Sequence, residues 1–171
     1  MKPNRAVMLS ELLKEMRRDS RDYYPDEVWL ELHKSFALPY VELVIPRRAA
    51  GRWEIFLVRR PATDPYWPSM WHLPGGLWRT YQTQIQACRS VARRELGIGV
   101  TRVEEVMTYK WTTHPYGNPI SHICLCRPTR RLKKARDRGY FRQLPRPFIP
   151  EQIGFVEESL RYLRNQWRRR K

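Results

Sequence analysis

Glu42 is the first residue of this chain whose setting suggests chemistry. It is a carboxylate inside Tyr40-Val41-Glu42-Leu43-Val44-Ile45, an otherwise apolar, β-rich run. A carboxylate buried there needs a partner, so Glu42 either serves a binding site or pairs with an Arg. Three histidines follow. His114, in Thr113-His114-Pro115-Tyr116, is a candidate general base. His72 and His122 read as satisfied structural residues, with His122 kept as a catalytic candidate. Trp67, Trp71, Trp78 and Trp111 could stack on a nucleobase or simply fill the core. Leu73-Pro74-Gly75-Gly76 reads as a chain reversal that uses glycine's freedom.

The composition narrows the classes. The chain has 171 residues, 42% of them apolar and 12% aromatic, which is enough for one domain with a real core. No run reaches the roughly 18–20 apolar residues of a membrane span, and Met1 to Arg21 lacks the apolar stretch of a signal peptide. Cys88, Cys124 and Cys126 form no CxxC pair. A disulfide framework or zinc site is not expected, and the expected setting is reducing and cytoplasmic. Net charge is +16, and residues 127–171 alone carry 15 basic and 4 acidic groups. A surface of that kind attracts polyanions, so RNA bound through residues 127–171 is one expectation. The bland alternative is solvated surface in an Arg-biased chain.

The pattern of elements says what would position these groups. Ser10 is a plausible N-cap for a helix with Leu12, Leu13 and Met16 on one side. Pro25 opens a second helix with Val28, Trp29 and Leu32. Tyr40–Ile45 and Trp53–Val58 read as a hairpin around a turn at Arg47–Arg52. Residues 61–72 form an irregular loop. Thr83 can cap a helix running to Leu96, with Ile85, Cys88, Val91 and Ala92 on its apolar side and Gly97 ending it. Val103–Trp111 and Ile120–Cys126 read as strands, with Cys124 and Cys126 as buried small hydrophobes. Residues 127–147 read mostly as loop, and Pro150 opens a last helix. The expected organisation is a helical extension over 1–34, an α/β domain over 35–167 with a mixed sheet between helices, and a basic tail at 168–171.

From Gly76 onward the chain resembles the Nudix box, Gly-x5-Glu-x7-Arg-Glu-apolar-x-Glu-Glu-x-Gly-apolar, without a gap through Gly97 and Ile98. Trp71-His72-Leu73-Pro74-Gly75-Gly76 and Phe56-Leu57-Val58-Arg59-Arg60 also look like that family. The resemblance covers about residues 36–165 and implies a Nudix α/β/α sandwich. Its box presents carboxylates to divalent metal at a diphosphate. Here the box is degenerate. The first Glu is Gln82, the Arg-Glu pair is Ser90-Val91 and the Glu-Glu pair is Arg94-Glu95, so only Glu95 survives of four acidic positions.

The GDP-mannose mannosyl hydrolase branch has a similarly shortened box. That resemblance implies a Mg²⁺-dependent hydrolase of a nucleoside diphosphate sugar or related nucleotide, often dimeric. One Mg²⁺ would sit between the Gly75 carbonyl and Glu95, with Glu42, Arg60, Gly76 and Trp78 at the substrate. The expected Arg after Gly-Gly is Leu77. The loop Arg131 to Tyr140, where that branch has a Gln and a base His, holds only Asp137 as an acidic candidate beside His114 and His122. Glu95 has a competing role as a helix-surface residue paired with Arg93 or Arg94. The reading from a different class is a non-catalytic Nudix fold that binds RNA or a protein through its basic last quarter.

Overall fold

The computed structural model describes residues 3–18 and 25–168. Helix α1 (Pro3–Arg18) and helix α2 (Asp26–Ser35) precede the strands β1 (Pro39–Val44), β2 (Pro46–Ala49), β3 (Arg52–Arg59), β4 (Trp71–His72) and β5 (Gly75–Leu77). Helix α3 (Gln84–Leu96), strands β6 (Val100–Lys110), β7 (Ile120–Pro128) and β8 (Arg138–Phe141), and helix α4 (Glu151–Arg168) complete the chain. One sheet has the order β5-β1-β7-β6, in which β1 and β7 run parallel and the other pairs antiparallel. In the second sheet β2 and β4 share one edge of β3, and β8 pairs along the other.

Period-two alternation in the central strands feeds two cores. Val41 and Leu43 of β1, Phe56 and Val58 of β3, and Cys124 and Cys126 of β7 pack with Ala87, Cys88, Val91, Ala92 and Leu96 of α3. Their neighbours Val44, Ile55, Leu57, Ile123 and Leu125 face Phe155 and Val156 of α4. The result is the expected α/β/α sandwich with a mixed sheet. The three cysteines are buried and free, as small hydrophobes in this core.

Helix α3 starts and stops where its caps direct. The Gln86 side chain accepts from the Thr83 backbone N–H at 2.7 Å, and Gly97 closes the helix at φ 66°. A side chain at Gly97 would strain that left-handed position.

Several local expectations are corrected. Helix α1 begins at Pro3, so Ser10 lies inside it rather than at its cap, and the Met16 side chain lies outside the described residues. Val7, Met8, Leu9, Leu12 and Leu13 of α1 are exposed. The hairpin is β2–β3, not β1–β3. Strand β1 ends at Val44, Pro46 opens β2, and Arg47–Ala49 pairs with Glu54–Arg52 instead of forming the turn. Strand β1 is free to pair with β5 and β7. The basic stretch 127–147 contains β8, because Gly139 and Tyr140 complete the far edge of β3. Gly75 and Gly76 are extended residues of β5, outside the positive-φ region. Glycine is needed there for space. A Cβ on Gly75 would run into the Glu42 carboxylate, and one on Gly76 into the Arg94 guanidinium. Of the expected tail, residues 169–171 lie outside the described residues.

Candidate functional site

The β1–β5 pairing sets Glu42 directly opposite Gly75. Glu42 is buried, and its carboxylate accepts from the Ser121 hydroxyl at 3.3 Å and from the Gln152 amide at 3.4 Å. Ser121 is itself held by the Trp111 indole N–H at 2.8 Å, and Gln152 accepts from the Leu73 backbone N–H at 2.8 Å. The partner is therefore a polar pair from β7 and α4, not an Arg. Burial and the nearby Glu95 carboxylate push Glu42 up to about 8, with Arg60 and the Ser121 hydrogen bond pulling the other way. At neutral pH Glu42 is a protonated acid.

Glu95 approaches Gly75 from α3. Its carboxylate accepts from the Gly75 N–H at 3.3 Å and from the Arg94 Nη2 at 3.2 Å. The same Nη2 donates to the Gly75 carbonyl at 3.3 Å. Burial raises the Glu95 carboxyl, while Arg94 and the Gly75 N–H pull it down. So Gly75 and Glu95 do meet, and the cation lying between their oxygens is the guanidinium of Arg94. These oxygens are suitable donors for a hard ion. As folded, however, they do not fit one. A divalent cation would have to displace a positive charge already in place. Among the described residues, no group of three or more His, Cys, Asp or Glu side chains is arranged to hold a metal.

Around these groups lies a cavity of about 70 Å³, lined by Glu42, Glu95, Arg60, His72, His114 and Trp111 among others. It shares Tyr40, Arg60 and Tyr116 with an open cleft of about 490 Å³ that runs past Gly76, Arg94, Gln82 and Ser90 to Trp29, Leu30 and Tyr66. Arg60 Nη1 bonds Asp64 at 3.0 Å, whereas its buried Nε has no partner. The buried Nδ1 of His114 also has none. Two such orphans in one cavity indicate a place for a polar ligand or water, because buried polar groups are normally satisfied. Burial and nearby charge lower His72 and His114 to about 3, so both rings are neutral. The His72 Nδ1 lies 2.6 Å from the Leu73 carbonyl and donates to it, which gives the ring the expected structural role.

The remaining candidates lie elsewhere. His122 Nδ1 sits 3.2 Å from Glu105 and stacks edge-on to Trp78 at 5.0 Å, outside the cavity and the cleft. Trp78 donates its indole N–H to the Gln82 carbonyl and shapes the loop rather than the cleft wall. Asp137 is exposed and paired with Arg138 at 3.2 Å, away from both cavities. Trp67 and Trp111 line the small cavity, while Trp71 packs on Phe141 in the core. Gln82 and Ser90 are linked by a neutral hydrogen bond, the Gln82 amide donating to the Ser90 hydroxyl at 3.1 Å.

Sequence reasoning missed Tyr40, Tyr116, Ser121, Gln152 and Trp29. The helix α2 reaches the site because His33 is buried against the domain. Its ring nitrogens lie 2.7 Å from the Trp29 carbonyl and 2.6 Å from the Tyr40 hydroxyl. An apolar-rich helix after Pro25 was the available signal.

No family model matches the sequence, and no curated protein matches it. Solved structures do match in three dimensions. The Nudix domain of Shewanella oneidensis NrtR, in complex with ADP ribose, has a TM-score of 0.61 at 15% identity, over 82% of this chain and 99% of that one. A MutT/Nudix family protein from Listeria innocua gives 0.61 at 15% identity, over 76% and 96%. The Ap4A hydrolase of C. elegans gives 0.53 at 14%, over 75% and 99%. The chain has the Nudix fold. Among the described residues, no helix is long and apolar enough to cross a membrane.

Proposed function

We propose that this Nudix-fold protein binds and hydrolyses a nucleoside diphosphate derivative, such as a nucleotide sugar, in the cleft between α2, β5 and α3. The observation that carries the reading is a cleft lined by arginines and aromatic rings that adjoins, across Tyr40, Arg60 and Tyr116, a small cavity holding the carboxyl groups of Glu42 and Glu95. Arg60 and Arg94 suit a diphosphate, because guanidinium forks match phosphate oxygens. Trp29, Tyr66 and Tyr116 offer rings for a base. Burial raises both carboxyl groups, Glu42 to about 8, and at Glu95 the Arg94 guanidinium and the Gly75 N–H pull part of the way back toward the charged form. Glu42 would donate a proton and Glu95 would accept one from water. The complex of the NrtR Nudix domain with ADP ribose supports the ligand class.

The test is a panel of nucleoside diphosphate sugars and dinucleotides, read by product release and by melting-temperature shift. The expected result is a shift with product, the product being lost in Glu95→Gln. A shift without product leaves binding and removes hydrolysis. No shift with any of them removes the reading altogether.

A separate observation favours a second reading. A groove of about 490 Å³ that shares no lining residue with the cleft is lined by Arg48, Arg52, Arg142 and Arg164 with Trp53 and Trp167, and no acid lines it. Arg48 lies 4.1 Å over the Trp167 ring. Arginines beside aromatic faces suit single-stranded RNA. Binding there should weaken by roughly 0.7 decade per decade of salt for each phosphate neutralised. Salt-insensitive or absent binding of a short RNA counts against it.

A further inference from the structure

We infer that Arg94 takes the place of a divalent cation in this cleft, so that a diphosphate is held by a fixed guanidinium and needs no added metal. The inference rests on the proposed ligand class. It goes further by assigning the charge that receives the phosphates.

The geometry is specific. Arg94 Nη2 is fixed by two acceptors, the Gly75 carbonyl at 3.3 Å and the Glu95 carboxylate at 3.2 Å. A guanidinium has five N–H donors, and this one nitrogen uses two of them. Nη1 and Nε have no partner among the described residues, and the side chain is 47% exposed along the cleft wall. Gly76 makes the approach possible, since a Cβ there would strike the Arg94 Nη2. The guanidinium is thus anchored on its protein side and open on its cleft side. Arg60 lines the same cleft and brings a second guanidinium with an unpartnered buried Nε. Arg94 can give a phosphate single hydrogen bonds from Nη1 or Nε, and Arg60, whose Nη1 is held by Asp64, has its Nε and Nη2 edge left for another. An anchored cation also loses less freedom on binding than a free side chain would.

Glu95 acquires a distinct role in this arrangement. It orients Arg94 and balances its charge, as a positioning residue for the phosphate contact.

The experiment measures binding of ADP-ribose, UDP-glucose and GDP-mannose by calorimetry, once with MgCl₂ and once with EDTA. For whichever probe binds, the affinities should agree within about threefold, a difference of under 1 kcal/mol. Arg94→Gln should weaken binding by about tenfold or more in EDTA. Arg93→Gln removes the same charge one residue earlier on α3 and should leave binding unchanged. Arg94→Glu, which puts a second carboxylate beside Glu95, should abolish binding in EDTA and recover it with Mg²⁺. Circular dichroism melts confirm that each variant is folded.

Wild-type binding that appears only with Mg²⁺ overturns the inference and leaves the proposed function standing. Metal-independent binding that Arg94→Gln does not weaken also overturns it. Absence of binding under both conditions overturns the proposed function itself, and the inference with it.

Discussion

Arg94 and Glu95 are consecutive residues of α3, yet their side chains meet at 3.2 Å over the Gly75 carbonyl. Consecutive helical positions ordinarily point about 100° apart and do not face each other. They converge here because both lie in the last turn of α3, beside β5, where Gly75 offers an acceptor to one and a donor to the other. The pair makes the site cationic at its surface and acidic beneath.

Burial raises the Glu95 carboxyl above its ordinary value, and Arg94 offsets part of that rise. In Arg94→Ala the carboxyl should titrate at higher pH than in the wild type, as followed by NMR of the side-chain carbon. The stability cost should stay within about 1 kcal/mol, because the Arg94 side chain is half exposed and its contact is screened by solvent. An unchanged titration would mean that the contact does not persist in solution.

Glu42 gives a pH dependence with a definite sign. Its folded value, about 8, lies above the ordinary carboxyl value of 4.5. The folded state then holds a proton that the unfolded chain has released, so stability is lost as pH rises from about 4.5 through 8. Melting temperatures of the wild type should fall relative to Glu42→Gln across that window. Parallel curves for the two proteins would show that Glu42 is not buried as described.

Gly75→Ala tests the contact between β5 and Glu42. The added methyl meets the carboxylate, which Ser121 and Gln152 hold in place. Overpacking of this kind costs about 1–3 kcal/mol. Urea unfolding should show that loss, and a variant as stable as the wild type would place Glu42 elsewhere.

Arg60→Lys separates charge from shape. It keeps a positive charge near Asp64, now 3.0 Å from Arg60 Nη1, but removes the planar fork and the buried Nε. Nucleotide affinity should fall about tenfold, roughly 1.4 kcal/mol, with little change in melting temperature. Equal affinity would reduce Arg60 to a structural partner of Asp64.

Much of the frame was legible in the residues. Near-continuous apolar runs at Val41–Val44, Ile55–Val58 and Ile123–Cys126 marked strands, which the fold buries on both faces, and Thr83 and Gly97 bounded α3. The family resemblance from Gly76 to Gly97 pointed to a loop and helix as the candidate site. Strand partners were less accessible. The hairpin was assigned to β1 because Pro46, which opens β2, leaves the local alternation unbroken. Short strand β8 is hard to see because its pairing with β3 is long-range and its four residues sit inside a basic stretch.

The sequence by itself determined the pattern of strands and helices, the ends of α3 and the position of the Gly-Gly segment, because periodicity and capping act between near neighbours. Only the tertiary structure decided where Arg94 points, that Glu42 is satisfied by Ser121 and Gln152, and that α2 brings Trp29 to the cleft. The reason is reach. Whether a guanidinium turns to solvent or onto a carbonyl nineteen residues away depends on acceptors that folding alone brings within a few ångströms.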